Sequence, residues 1–263
     1  MKSENGLHFT DVGKGEIALV FLHYFGGSSN SWLKVIAELS HIFRCIAIDL
    51  PGFGDSQAGL KPLSVKKYAG EVNQLLQGLA LKQFIIVGHS MGGKIAMYLA
   101  SIQPFALTSL VLIAPSPPTP EPINDKERKE MLKAYGNRFA LETLLNTVTA
   151  QPLANRDMEI AVADNLRASH TSWNWWIEQG SEENISDHLS GSIVPVLIIS
   201  GENDPKFSSS YLRRELLKYF PLASFTEIPK AGHLIPIEAH SALAYSIKMF
   251  IESAINKDSI VPL

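Results

Sequence analysis

The chain has 263 residues, which suits one large α/β domain or a core domain carrying a modest insertion. Hydrophobic residues make up 46 % and charged residues 19 %, too apolar for a disordered chain, and a net charge of −3 with no dense basic run argues against a nucleic-acid partner. No apolar run approaches the roughly 18 residues of a membrane span, and Met1–Gly6 opens no apolar signal core, so a cytoplasmic setting without membrane insertion is expected.

The first predicted elements, Leu7 to Val12 and the run from Glu16 onward, are joined by Gly13-Lys14-Gly15 and read as a hairpin entering a sheet. Ile17 to Leu22 then opens a series of short, wholly apolar runs that continues with Cys45–Ile48, Phe84–Val87, Leu110–Ile113 and Val196–Ile199. Strands buried on both faces of a parallel sheet have this pattern. Cys45, the one cysteine, falls inside such a run and reads as a structural thiol. Helical patterns alternate with the runs: Val65 to Leu79, with apolar Val72, Leu75, Leu76 and Leu79 at three-four spacing, Lys94 to Ile102, and Ser209 to Tyr219. The alternation predicts an α/β fold with right-handed crossovers. It breaks at the proline-rich stretch Pro115 to Pro122, a stiff linker that cannot be helical. From Asn124 to Asn184 the sequence is helical and more polar, and the strand pattern resumes at Val194. The expected organisation is a core of residues 1–115 and 190–263, with residues 116–189 inserted as a cap of three or four helices.

The sharpest chemical signal is Gly88-His89-Ser90-Met91-Gly92, set between the apolar run Phe84–Val87 and a helix. A serine hydroxyl is a weak nucleophile until a base takes its proton. A tight strand-to-helix turn exposes it at the sheet's carboxyl edge and points the helix N–H groups at the developing negative charge. Ser90 is therefore the candidate nucleophile. A tetrahedral intermediate also needs two preorganised N–H donors. Met91, directly after the nucleophile, should supply one, and the loop His23-Tyr24-Phe25-Gly26-Gly27 the other, from Phe25.

The acid and base should follow in the order carboxylate, then histidine. Beyond the last clear strand comes Gly201-Glu202-Asn203-Asp204-Pro205, with Asp204 the candidate acid and Glu202 held in reserve. Of the eight histidines, His233 in Lys230-Ala231-Gly232-His233-Leu234 stands after Asp204, in a loop beyond the strand-like Ser224–Ile228, and is the candidate base. His23 is expected to organise its loop, and His89 to point away from the reacting centre.

On four motifs in order the sequence resembles the α/β-hydrolase superfamily, in its esterase-like branch with a helical cap. These are His23-Tyr24-Phe25-Gly26-Gly27, Asp49-Leu50-Pro51-Gly52-Phe53-Gly54-Asp55-Ser56, Gly88-His89-Ser90-Met91-Gly92-Gly93, and Gly201-Glu202-Asn203-Asp204 with Gly232-His233. The resemblance implies an eight-stranded, mostly parallel sheet with the cap over its active edge, and structural roles for Asp49 and Asp55. Relatives usually carry glycine where this chain has Tyr24. Those that open epoxides or remove halides have aspartate at the nucleophile position, which Ser90 argues against. Those that make peracids or halogenate often show tryptophan-proline where this chain has Phe25-Gly26.

In the cap, Trp173 and Trp176 share one helical face. They are candidates, with Tyr24, for substrate contact, the alternative being that they pin the cap in place. The expected function is acyl-enzyme hydrolysis of a small carboxylic ester, without metal or organic cofactor, since no clustered His, Cys and carboxylate set is legible. Thioester, lactone, amide or carbon–carbon cleavage on the same triad stays open. So does a small-molecule receptor with little turnover.

Overall fold

Apolar runs with no polar alternation demand a sheet covered on both faces. The computed structural model, which describes residues 1–59, 62–189 and 194–258 with side chains as far as residue 254, has such a sheet. The core elements are β1 (Phe9–Val12), β2 (Ala18–Leu22), α1 (Leu33–Leu39), β3 (Arg44–Ile48), α2 (Val65–Gly78), β4 (Phe84–His89), α3 (Met91–Ser101) and β5 (Leu107–Ile113). After β5 come four helices, α4 (Asp125–Ala134), α5 (Arg138–Val148), α6 (Asn155–Arg167) and α7 (His170–Glu178). The chain then re-enters the sheet with β6 (Val196–Gly201), α8 (Ser209–Leu216), β7 (Ser224–Ile228), the short α9 (Ile235–Glu238) and α10 (His240–Asp258).

The strand order is β1-β3-β2-β4-β5-β6-β7, with only β1 antiparallel. Alternate residues of each strand enter opposite cores. Val20, Leu22, Ile86, Leu110 and Ile198 pack with Tyr68, Val72 and Ile95 of α2 and α3. Leu19, Phe21, Ile85, Val111 and Ile199 pack with Val35 of α1 and Leu243 and Ile247 of α10. Each such aliphatic side chain contributes roughly 1.5–3 kcal/mol by burial, so the continuous apolar runs carry much of the fold's stability.

The predicted hairpin does not form. β3 lies between β1 and β2, with Phe9 opposite Ile48 and Ala18 beside Arg44. Gly13 and Gly15 instead let the chain cross the backbone ahead of β3: a Cβ on Gly13 would stand 2.5 Å from the Ser40 carbonyl oxygen, and one on Gly15 2.6 Å from Phe43 Cα. The described sheet has seven strands rather than eight, because the residues ahead of β1 make only a single antiparallel bridge between Lys2 and His8. The expected limits of the second core segment, residues 190 and 263, lie outside the described residues. Among the described residues no helix is long and apolar enough to cross a membrane.

The order of the strands fixes where a site can form. From β2 the chain moves one way to β3, and from β4 the other way to β5. The carboxyl ends of β2 and β4, adjacent through Leu22 and Gly88, therefore flank a crevice at the topological switch point.

Candidate active site

Ser90 sits in that crevice, on the turn from β4 into α3, with φ 51° and ψ −116°. This is a left-handed, strained conformation for a residue with a side chain, costing on the order of 1–3 kcal/mol. The surroundings hold it: its N–H donates to the Ile113 carbonyl at 3.0 Å, and its carbonyl accepts from Gly93 at 2.8 Å and Ser116 at 3.0 Å. The flanking glycines permit the turn. A Cβ on Gly88 would stand 2.5 Å from the Gly92 carbonyl oxygen, and one on Gly92 would collide with the Leu22 carbonyl at the end of β2.

His233 follows β7, and its Nε2 lies 2.9 Å from Ser90 Oγ. Its Nδ1 lies 2.9 Å from Oδ2 of Asp204, on the loop after β6. A carboxylate can only accept, so His233 carries its proton on Nδ1 and offers Nε2 to the serine hydroxyl. The other Asp204 oxygen accepts from the N–H groups of Lys206 at 2.8 Å and Phe207 at 3.0 Å. Burial alone would raise the Asp204 carboxyl, but its attraction to the His233 ring when that ring is protonated and these hydrogen bonds outweigh it and hold the group below the usual carboxylate range. The predicted nucleophile, acid and base are thus brought together. Glu202 is not among them; its carboxylate accepts from the N–H of Lys230 at 2.8 Å.

Met91 and Phe25 follow β4 and β2, and among the described residues neither N–H donates to a protein acceptor. His23 fixes the Phe25 loop. Its Nδ1–H donates to the Tyr24 carbonyl at 2.7 Å, and its Nε2 accepts from Leu50 at 3.0 Å. His89 points away from the reacting edge and donates through Nε2 to the His233 carbonyl at 2.8 Å. Burial first, and repulsion from His233 second, hold the His89 imidazole down at about 3. Asp49 has a structural place: its oxygens accept from Ser29 at 2.6 Å and Asp55 at 2.9 Å.

Ser90 and His233 open into a cavity of about 750 Å³, also lined by Tyr24 and Phe25, with Met131, Leu141, Leu144, Val148 and Phe207 among its apolar walls. Trp173 and Trp176 do not line it. They stand behind Phe25, with ring centroids 4.5 and 6.5 Å from it, and Trp173 donates to the Met131 carbonyl at 3.1 Å. Their shared helical face meets the core, so of the three predicted substrate contacts only Tyr24 reaches the cavity.

Several structural partners escaped the sequence reading. Glu238 accepts N–H bonds from Ala150 at 2.8 Å, Gly232 at 3.0 Å and Leu234 at 2.9 Å, and so brackets His233. Lys94 is fully buried in α3, donating to the carbonyls of Thr119 at 3.2 Å and Ser181 at 3.3 Å. Glu121, buried in the proline-rich linker, pairs with Lys206 at 3.0 Å. A charge inside an apolar helix and a carboxylate between prolines were the only signals for these two. His8, Asp49 and Asp55 also come together, with ligand atoms within 4.8 Å of one another. Their oxygens are already engaged, Asp55 by Arg167 at 2.8 Å and Asp49 by the amides named above.

Comparison with known proteins agrees with this architecture. A family model described as the alpha/beta hydrolase fold matches residues 17–155. The dihydrolipoyllysine-residue acetyltransferase component of the acetoin cleaving system of Pseudomonas putida is 28 % identical over 260 residues, spanning 91 % of this chain, which covers only 64 % of that relative's length. A putative 2-succinyl-6-hydroxy-2,4-cyclohexadiene-1-carboxylate synthase of Bacillus subtilis is 27 % identical over 90 % of each chain. Among solved structures, an esterase from Exiguobacterium antarcticum superposes with a TM-score of 0.86 at 18 % identity, over 94 % of this chain and 95 % of that one. The enol-lactonase of Burkholderia xenovorans LB400 gives 0.83 at 21 %, over 94 % and 96 %. At these identities the superpositions establish the fold. With the family match covering more than half its length, the chain belongs to the α/β-hydrolase fold family.

Proposed function

We propose that the protein is a serine hydrolase that cleaves small to medium carboxylic esters through an acyl-enzyme, with residues 116–189 serving as its cap. The observation that carries this reading is the relay from Asp204 through His233 to Ser90, at 2.9 Å and 2.9 Å, opening into an apolar cavity. Ser90 Oγ attacks the ester carbonyl while His233 Nε2 takes its proton. Asp204 holds the tautomer and balances the imidazolium. The N–H groups of Met91 and Phe25 receive the oxyanion, each worth about 10²–10³ in rate. His233 returns the proton to the leaving alcohol, and water repeats the sequence to release the acid.

A second reading, a synthase forming a dicarboxylate, is favoured by the name of the Bacillus subtilis relative. Such a product would call for free cations around it. Among the described residues the cavity is lined by two lysines, Lys133, exposed on α4, and Lys206, already paired with Glu121. The apolar walls therefore favour a neutral ester. Release of p-nitrophenol from an acetate-to-octanoate series, compared between wild type and Ser90→Ala, tests the reading. Turnover abolished by the substitution supports it, and turnover surviving the substitution sinks it.

A further inference from the structure

Two cavities meet at one side chain. The larger, about 750 Å³, holds Ser90 and His233; a smaller one, about 240 Å³, lies among α1, α6 and α9. Among the described residues Tyr24 alone lines both. One side of the smaller cavity is apolar, formed by Ile160, Ala161, Pro236 and Ile237; the other carries Asn30, Ser31 and the buried Asp164, whose carboxylate oxygens are already taken by Ser28, Asn30 and Arg167. Its mouth is charged, where Lys34 of α1 and Asp157 of α6 pair at 2.6 Å. Tyr24 is only 5 % exposed and packs against Leu145, Val162 and Leu234. Its hydroxyl makes no hydrogen bond of good geometry, although the Asn165 amide lies beside it. A buried, unpaired hydroxyl is unfavourable. What this side chain supplies at the junction is bulk.

We propose that Tyr24 is a specificity-determining wall that closes the reacting cavity towards α6, and that the smaller cavity behind it is a latent subsite for a linear aliphatic chain. The inference deepens, and rests on, the ester-hydrolase reading. With Tyr24 in place the chain of the ester must fit within the larger cavity. With a small residue in its place the two spaces join, and the chain extends over Ala161 and Ile160 towards the Lys34–Asp157 mouth.

The test reads the ratio of kcat/KM for p-nitrophenyl decanoate over butyrate, because a ratio is insensitive to a general loss of rate if the neighbouring Phe25 N–H shifts. Tyr24→Ala raises the ratio about tenfold, the scale on which a hydrophobic pocket discriminates chain length. Tyr24→Leu, which retains more of the packing, raises it in the same direction. Tyr24→Phe keeps the wild-type ratio. Adding Ile160→Trp to Tyr24→Ala refills the smaller cavity and lowers the ratio again. A wild-type ratio in folded Tyr24→Ala or Tyr24→Leu overturns the proposal. Calorimetric titration of 1-decanol into Ser90→Ala, with and without Tyr24→Ala, gives an answer without turnover: about tenfold tighter binding in the double variant supports the wall, and equal binding overturns it. A wild type that hydrolyses no ester overturns the esterase reading alone, and the decanol titration still decides the wall.

Discussion

At Ser90 a left-handed backbone is tolerated because three hydrogen bonds and two close glycine approaches leave the chain no alternative. The same economy governs Asp204. One oxygen is taken by His233 and the other by two backbone amides, so the carboxylate cannot rotate away from the imidazole. Asp204→Asn would keep the shape but let the amide donate to Nδ1, which would place the histidine proton on Nε2. The expected result is a fall in kcat of about 10⁴ with little change in circular dichroism or KM. Activity within tenfold of wild type would mean that the Asp204 carboxylate has no such role. Cys45, by contrast, has no site in which to act. It is fully buried, and burial together with the charge of Asp11 pushes its thiol up to about 12.

At the scale of elements, His233 is held by helix ends as much as by the loop after its own strand. The His233 N–H donates to the Val148 carbonyl at the end of α5 at 2.8 Å, and Glu238 of α9 gathers the amides on either side of His233. Glu238→Ala would leave three backbone donors without their acceptor. The variant should lose about 2–3 kcal/mol in urea unfolding and, on the proposed mechanism, at least about tenfold in kcat, with KM nearly unchanged, because His233 is misplaced rather than the pocket. Unchanged kcat and stability would show that the loop holds itself. What the sequence made legible follows the range of the forces involved. Strands β2 to β6 showed in their apolar runs, and Ser90 in its local strand-turn-helix context. The partner of β1 did not show, because pairing with β3 rather than β2 is a long-range choice made by the parallel sheet. Helical spacing put Trp173 and Trp176 on one face but could not say that the face meets Phe25 and the core. Glu238 was invisible because its three partners are set by tertiary placement.

For the whole molecule, buried neutral histidines set the response to acid. His89 is held at about 3 and His23 is also lowered by burial, whereas an unfolded histidine titrates near 6.5. Between those values the unfolded chain binds protons that the folded chain refuses, so stability falls as pH falls through that window, at about 1 kcal/mol per pH unit from His89. Asp49 and Asp204 are lowered carboxylates, whose contribution is present above the ordinary carboxylate value and is lost only as pH drops through their depressed ones. Urea midpoints should therefore drop from pH 7 to pH 5, above the range in which the lowered Asp49 and Asp204 carboxyls protonate, and His89→Gln should flatten the slope. A flat wild-type profile over that range would contradict the neutral assignment of His89.

These scales converge on one hydroxyl, which a fluorophosphonate probe followed by intact-mass and peptide analysis would read directly. Stoichiometric labelling should map to Ser90, vanish in Ser90→Ala, and slow by orders of magnitude in His233→Ala. Labelling that persists in Ser90→Ala, or that maps to another residue, would contradict Ser90 as the nucleophile and with it the proposed ester chemistry.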